Sequence, residues 1–291
     1  MGPWYCSATS RSAHQPCSTR ISRDNQLHSG HATEAGFVIR DIRIVRHLEL
    51  MRQESHEQSQ LSHNMALSPP LLYTYRRCPY AMRARMALLL AQVSFDAWEI
   101  VLRNKPEAMV LASPKATVPV LILADGAVLE QSWDIVKWAL TQPGASAEAH
   151  ACWHSALNSD SQQLLLLNDG AFKYHLDRYK YPERFETIGH PDRARQHKAT
   201  HREQAVVSLL EPLEQRLRER PFLGGAQLGA ADIGIFPFVR QFAAVDPAWF
   251  ETLPLDRLKQ WLAQCLGSAL FAAAMQKLPS NIRTPYPVAG Q

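Results

Sequence analysis

An apolar run of the ~18 residues that a membrane-spanning helix requires occurs nowhere in the 291-residue sequence. The longest such runs, near Met86–Ala91 and Leu164–Leu167, fall far short of that length. A membrane is therefore not expected as a partner. Cysteine is scarce and unpaired in its spacing: the five residues Cys6, Cys17, Cys78, Cys152 and Cys265 are odd in number and form no C-x-x-C pair. That argues against a disulfide framework and against a zinc site, so no metal is expected and a reducing, cytoplasmic compartment is the natural setting. A surplus of one charge is missing too. The formal net charge is only +4, and the basic residues are mixed with acids, so nucleic acid is not expected as a partner. What is present, 46% hydrophobic and 20% charged residues, suits a globular chain with a sizeable core. The length fits about two domains of ~100–200 residues each.

Three parts differ in character. Residues 1–64 contain no lysine, seven arginines and six of the twelve histidines, with many Ser and Gln. Phe37, Val38, Ile42, Ile44, Val45 and Leu48 offer one short element at most. This leader reads as a mitochondrial-type targeting peptide carrying Arg11, Arg20 and Arg23, as a disordered tail, or as sequence upstream of a true start at Met65. We favour the last, because everything foldable begins within ten residues of Met65.

Residues 65–141 alternate between strand and helix signals. Leu71–Tyr75 is β-prone, and Cys78-Pro79 opens a helix with Met82, Met86, Leu89 and Leu90 as an amphipathic stripe. Phe95–Leu102 reads as a strand and Pro106–Leu111 as a short helix. Val118–Leu123 and Val128–Leu129 form a hairpin about Ala124-Asp125-Gly126, and Ser132 caps a helix over Trp133–Leu140. The order is β-α-β-α-β-β-α. After a linker at Thr141–Ala149, residues 149–280 read as all helical: His150–Leu167, Ala194–Arg218 with a kink at Pro212, Ala230–Ala243, Leu255–Leu266 and Ser268–Met275. Asp169–Pro191 reads as a long connection rich in aromatics and charge, and residues 281–291 as a tail.

Cys78 stands between a strand and a helix N-terminus, where unpaired N–H groups and the helix dipole favour an anion. A thiol there is expected to ionise readily, helped by Arg76, Arg77, Arg83 and Arg85. In Cys78-Pro79-Tyr80-Ala81, alanine stands where a dithiol motif would place its resolving cysteine. An external thiol must then complete any redox cycle, and glutathione is the obvious candidate. The alternative for a lone cysteine is a small packed hydrophobe. Two further features are weak alone. Pro119 after Val118 at a strand start serves as an edge device or, if cis, presents the Val118 backbone to a peptide. Gln131-Ser132 opens a helix whose N–H groups suit a carboxylate.

Taken in order, Arg77-Cys78-Pro79-Tyr80, Asn104-Lys105-Pro106-Glu107, Val118-Pro119-Val120-Leu121, Gln131-Ser132-Trp133-Asp134-Ile135 and Ala231-Asp232-Ile233 with Phe236-Pro237-Phe238 resemble the glutathione transferase superfamily over about Leu71–Met275. The cysteine-type classes, omega-like and beta-like, are the nearest in pattern. The resemblance implies an α/β thioredoxin-like N-terminal domain joined to an all-α C-terminal helical domain. It implies glutathione as co-substrate, with Cys78 as the catalytic cysteine and a cis Pro119. Val118 would pair through its backbone with the cysteinyl part, Gln131 and Ser132 would hold the γ-glutamyl carboxylate, and Lys105 would reach the glycyl carboxylate. Arg77, Tyr80, Arg178 and Tyr179 are candidates for tuning the thiol or lining the lip of the substrate site. Trp153, Phe172, Tyr174, Tyr181 and Lys180 are further candidates for the acceptor wall. A homodimer is implied as well. The expected activity is thioltransferase, deglutathionylation or dehydroascorbate-reductase-like, on a small electrophile or disulfide. Conjugation, isomerisation or ether cleavage by the glutathione thiolate, and a non-catalytic regulatory protein on the same fold, are the alternatives. One departure stands out: where the family commonly starts its core helix with Ser or Thr, three residues before Asp232, this chain has Gly229.

Overall fold

The computed structural model describes residues 47, 51–53, 68–185 and 191–287, so the expectations for the leader fall almost wholly outside the described residues. The chain divides into two units, residues 1–57 and 58–291, and every strand and helix named here lies in the second. Strand β1 (Leu71–Thr74) runs into helix α1 (Pro79–Leu90) and returns as β2 (Phe95–Glu99), parallel to β1 with Leu71 opposite Asp96 and Thr74 opposite Glu99. A short α2 (Glu107–Ala112) leads to β3 (Val120–Ile122), antiparallel to β1, and to β4 (Val128–Leu129). The turn between them is the expected hairpin: Gly126 has φ 86°, and the Asp125 carboxylate accepts the Ala127 amide at 3.0 Å. Helix α3 (Ser132–Leu140) completes the thioredoxin-like order, and the described elements from Ala147 to Ala274 are all helical.

The tail differs from expectation. Residues Arg283–Tyr286 form β5, antiparallel to β2, so the sheet order is β4-β3-β1-β2-β5. Tyr286 packs on Phe95 and donates its hydroxyl to the Ala273 carbonyl at 2.6 Å, while Arg283 pairs with Asp96. With Pro285 inside it and Pro287 after it, the segment carries little strand signal, and an edge strand is where proline is tolerated.

The helical part begins with α4 (Ala147–His154) and α5 (Ser159–Leu167) rather than one helix over His150–Leu167. Ser146 caps the first, accepting the Ala149 amide at 3.1 Å, and Asn158 caps the second, accepting the Ser161 amide at 2.9 Å. The long connection is also mostly helix. A wide π-type turn at Asn168–Phe172 continues α5 into α6 (Lys173–Lys180), followed by a 3-10 turn at Pro182–Arg184. Phe172, Leu176 and Tyr179, at i, i+4 and i+7, bury its apolar face, a periodicity obscured in sequence by the charges between them. Helix α7 (Pro191–Ala205) passes through a second wide turn at Val206–Leu210 into α8 (Glu211–Glu219), with Pro212 in its first turn. Then come α9 (Ala230–Ala243), α10 (Pro247–Glu251), α11 (Asp256–Leu266) and α12 (Ala269–Ala274).

Helix α1 is not the one-sided stripe expected. Ala81 to Leu88 are all buried, including Arg83 and Arg85, whereas Leu89 and Leu90 are half-buried. The helix packs against α3, α9 and α12, and its buried residues share one core with Leu72, Phe95, Ala97 and Leu121 of the sheet. Arg83 spans that packing. Its Nε and Nη2 donate to the Gly234 carbonyl at 3.0 and 2.7 Å, and its Nη1 and Nη2 hold both oxygens of Asp169 at 3.1 and 2.7 Å. Arg85 donates to the Ala274 and Arg76 carbonyls and to the Thr74 hydroxyl.

At the start of α9, buried Asp232 accepts the Leu223 and Gly229 amides and the Trp261 indole, each at 2.8 Å. The glycine there has a steric cause: a Cβ on Gly229 would lie 2.1 Å from the Ser155 Oγ. The serine at the end of α4 occupies the space that a capping side chain would need. Gly229→Ser is accordingly expected to destabilise by about 1–3 kcal/mol in urea unfolding despite the better cap it offers. In a Ser155→Ala background most of that loss should disappear. Equal losses in both backgrounds would remove the steric explanation.

Candidate functional site

Cys78 is the residue before α1, extended at φ −73° and ψ 122°. Its amide donates to the Tyr75 carbonyl at 3.0 Å and its carbonyl accepts the Met82 amide at 2.9 Å, so the chain turns and enters the helix around it. Pro79 fits the first helical position because no intrahelical partner is needed there. The half-buried thiol faces the Val118 carbonyl, 3.7 Å away, and the Val118–Pro119 peptide is cis.

The expectation of a readily ionised thiol does not hold in the free protein. Burial pushes the Cys78 thiol above its ordinary range. The Ala81 and Tyr80 amides, then the Arg85 and Lys173 charges, pull the other way without overcoming it. Two of the arginines expected to help are occupied elsewhere. The Arg83 fork is spent on Gly234 and Asp169, and Arg77 donates to the Tyr75 hydroxyl at 3.1 Å. Cys152 and Cys265 are buried, and burial raises both thiols, Cys152 to about 12.

A cavity of about 560 Å³ opens beside Cys78. It brings together Cys78, Tyr80, Lys105, Val118, Pro119, Gln131 and Ser132, residues that lie far apart in sequence. Gln131, not Ser132, takes the capping position of α3, and its side chain makes no cap hydrogen bond. Ser132 is the first helical residue, buried, with Oγ accepting from Arg83 Nη1 at 3.2 Å. That bond leaves the hydroxyl proton of Ser132 free to donate. Two carboxylates share the cavity that sequence reasoning did not select, Glu130 and Asp169. The Ser113 hydroxyl and Lys115 hold the Glu130 carboxyl below its usual range. Asp169 comes from the wide turn before α6, held by the Asn168 side-chain amide beside it and by the distant Arg83, a long-range tie that no local signal marked.

A second cavity, about 460 Å³, shares Cys78, Tyr80, Leu102 and Val118 with the first. Arg77 and Tyr80 are among the residues lining it, and burial with the nearby Asp169 pushes the Tyr80 hydroxyl up to about 12, so it stays protonated. Arg178 and Tyr179 line neither cavity. Tyr179 is buried against Phe242 and Trp249 on the far face of α6, and Arg178 stacks on Tyr174 and Phe185. Because the segment is a helix, Lys173, Asp177, Lys180 and Tyr181 share the face toward Cys78, whereas 178 and 179 turn away. Of the other aromatic candidates, Phe172 is core, Trp153 packs on Trp133, and Tyr174 packs on His175 and His201. Among the described residues no cluster of His, Cys, Asp or Glu could hold a metal ion, and no helix is long and apolar enough to cross a membrane.

Comparison with known proteins gives one family. Residues 72–147 match the family model of the glutathione S-transferase N-terminal domain, and residues 192–264 match that of the glutathione S-transferase C-terminal domain. No curated protein matches the chain in sequence. Among solved structures, a poplar glutathione transferase with a serine replaced by cysteine is similar at 15% identity and a TM-score of 0.59, over 72% of this chain and 97% of that one. A glutathione S-transferase from Rhodospirillum rubrum is similar at 22% identity and a TM-score of 0.55, over 74% and 96%. One from Pseudomonas putida, solved with one glutathione disulfide per subunit, is similar at 16% identity and a TM-score of 0.58, over 72% and 91%.

Two outcomes are expected from these contacts. Removing the Arg83 fork as Arg83→Met takes away the side-chain donors of the buried Gly234 carbonyl and of Asp169, and unfolding stability should fall by about 2–4 kcal/mol. A loss under about 0.5 kcal/mol would show that the fork is dispensable. Because burial raises the Cys78 thiol, its alkylation by iodoacetamide, followed by peptide mapping, should still accelerate above pH ~8.5, the ordinary cysteine value. A plateau already reached at neutral pH would contradict that environment.

Proposed function

The chain belongs to the glutathione S-transferase superfamily, and from that premise we propose that it is a glutathione-dependent thiol transferase whose nucleophile is Cys78. The observation that carries this reading is the single cavity into which Cys78, Val118, Gln131 and Ser132 converge. The α3 N-terminus has no side-chain cap, so its first amides and the free Ser132 proton suit the γ-glutamyl carboxylate. Asp169, about 41% exposed, suits the adjacent ammonium group. The Val118 backbone would hold the cysteinyl part and Lys105 the glycyl carboxylate. In this scheme residues 65–141 hold glutathione and residues 149–280 supply the wall of the acceptor site.

The chemistry follows from one cysteine and no resolving partner. The Cys78 thiolate attacks the glutathione sulfur of a mixed disulfide, the Cys78–glutathione disulfide forms, and the other thiolate leaves. A second glutathione thiolate then attacks that disulfide, releasing oxidised glutathione and restoring the Cys78 thiolate. The Ala81 and Tyr80 amides, with the Arg85 and Lys173 charges, favour the thiolate at both stages.

One observation favours a second reading. A thiol raised by burial is an S–H donor at neutral pH, which suits hydrogen bonding to a glutathione thiolate that is itself the nucleophile in conjugation. The two readings separate on substitution. For a Cys78 nucleophile, Cys78→Ser and Cys78→Ala should both lose at least ~100-fold of the turnover of a glutathionyl disulfide. For the donor role, Cys78→Ser should keep conjugation of an aryl halide within a few-fold of wild type, and Cys78→Ala should not. Undiminished disulfide reduction in both variants would end the nucleophile reading.

A further inference from the structure

The cavity on the acceptor side of Cys78 has an unbalanced charge. It is lined by three cations, Arg77, Lys173 and Lys180, and one carboxylate, Asp177. Asp177 is committed to Lys173, one helical turn away. Arg77 donates only to the neutral Tyr75 hydroxyl, and Lys180 lies 4.9 Å over the Tyr181 ring. Among the described residues neither is ion-paired, so two positive charges face the cavity without a counter-charge. Arg184 stacks 3.9 Å over the same Tyr181 ring. The other walls include three aromatic rings, Tyr75, Tyr80 and Tyr181, with Leu102 and Val118 and one neutral polar residue, Gln241. Cations left unpaired beside aromatic faces are matched by a planar molecule that brings its own negative charge.

We propose that this cavity takes an acceptor with a carboxylate on a flat aromatic body, the carboxylate held by Arg77 and Lys180 and the ring by the tyrosines. The proposal rests on glutathione occupying the adjoining cavity. A neutral aryl acceptor of the same size fits the walls but leaves both cations unmatched, so the discrimination comes from charge rather than shape.

Binding, not turnover, tests this, because it does not depend on whether Cys78 or glutathione is the nucleophile. Calorimetric titration of the whole protein with S-(4-carboxybenzyl)glutathione and with S-benzylglutathione compares two ligands that differ by one carboxylate. The carboxylated ligand should bind about five- to tenfold tighter, as two partly exposed ion pairs allow. That preference should shrink between about 20 mM and about 300 mM salt. It should be lost in the Arg77→Gln/Lys180→Gln double variant while the S-benzylglutathione affinity stays the same. Equal affinities in wild type, or a preference that survives the double substitution, would overturn the anionic-acceptor assignment and leave the glutathione site standing. Failure of glutathione and both derivatives to bind would instead remove the glutathione reading and this inference with it.

Discussion

Five N–H donors on one buried guanidinium hold this molecule in register. Arg83 is 1% exposed, and each of its donors meets an acceptor: the Gly234 carbonyl twice, Asp169 twice and the Ser132 hydroxyl once. An unpaired buried charge is severely penalised, so this group is tolerable only when all of those partners are in place. The fork thereby makes the positions of α1, α3, the wide turn and α9 mutually dependent. The rings of Phe238, Tyr80 and Trp133 stack around it at 4.9, 5.5 and 5.7 Å. A lysine offers no planar fork to satisfy this set. The glycine in the middle of α9 belongs to the same contact: a Cβ on Gly234 would come 2.6 Å from Leu165 and 3.0 Å from Trp133.

The same contact shapes the candidate site. Arg83 fixes Ser132 and Asp169 at one end of the larger cavity, while Cys78 opens the helix that carries Arg83. Two residues on, Arg85 leaves the opposite side of α1 and ties the end of β1 to the last helix. The thiol is thus anchored through a helix clamped on both sides, a rigid support of the kind that reacting groups need.

Cys78 sits at the balance of a local and a global effect. The helix start supplies the Tyr80 and Ala81 amides, which favour a thiolate. Packing of the helical layer over α1 supplies the burial that opposes it. Beyond the thiol the cavity wall turns basic, because one face of α6 carries Lys173 and Lys180 and the chain before Cys78 contributes Arg77.

Sequence by itself determined the order β-α-β-α-β-β-α, the helical second part, the cysteine before a helix with proline at its first position, and the hairpin at Asp125-Gly126. Each rests on interactions within a few residues, which local pattern records directly. Only the tertiary structure decided the rest. Arg83 and Arg85 read as charges near Cys78, and their burial is decided only when α9 and α12 close over them, because the Gly234 and Ala274 carbonyls lie far along the chain. Ser132 became a partner of Arg83 instead of a cap, and Asp169 entered the cavity, through that same long-range contact. The fifth strand needed the open edge of β2, and the glycine at 229 needed Ser155 beside it. The ionisation of Cys78 was half legible: its amides are local, and its burial exists only once the layers pack.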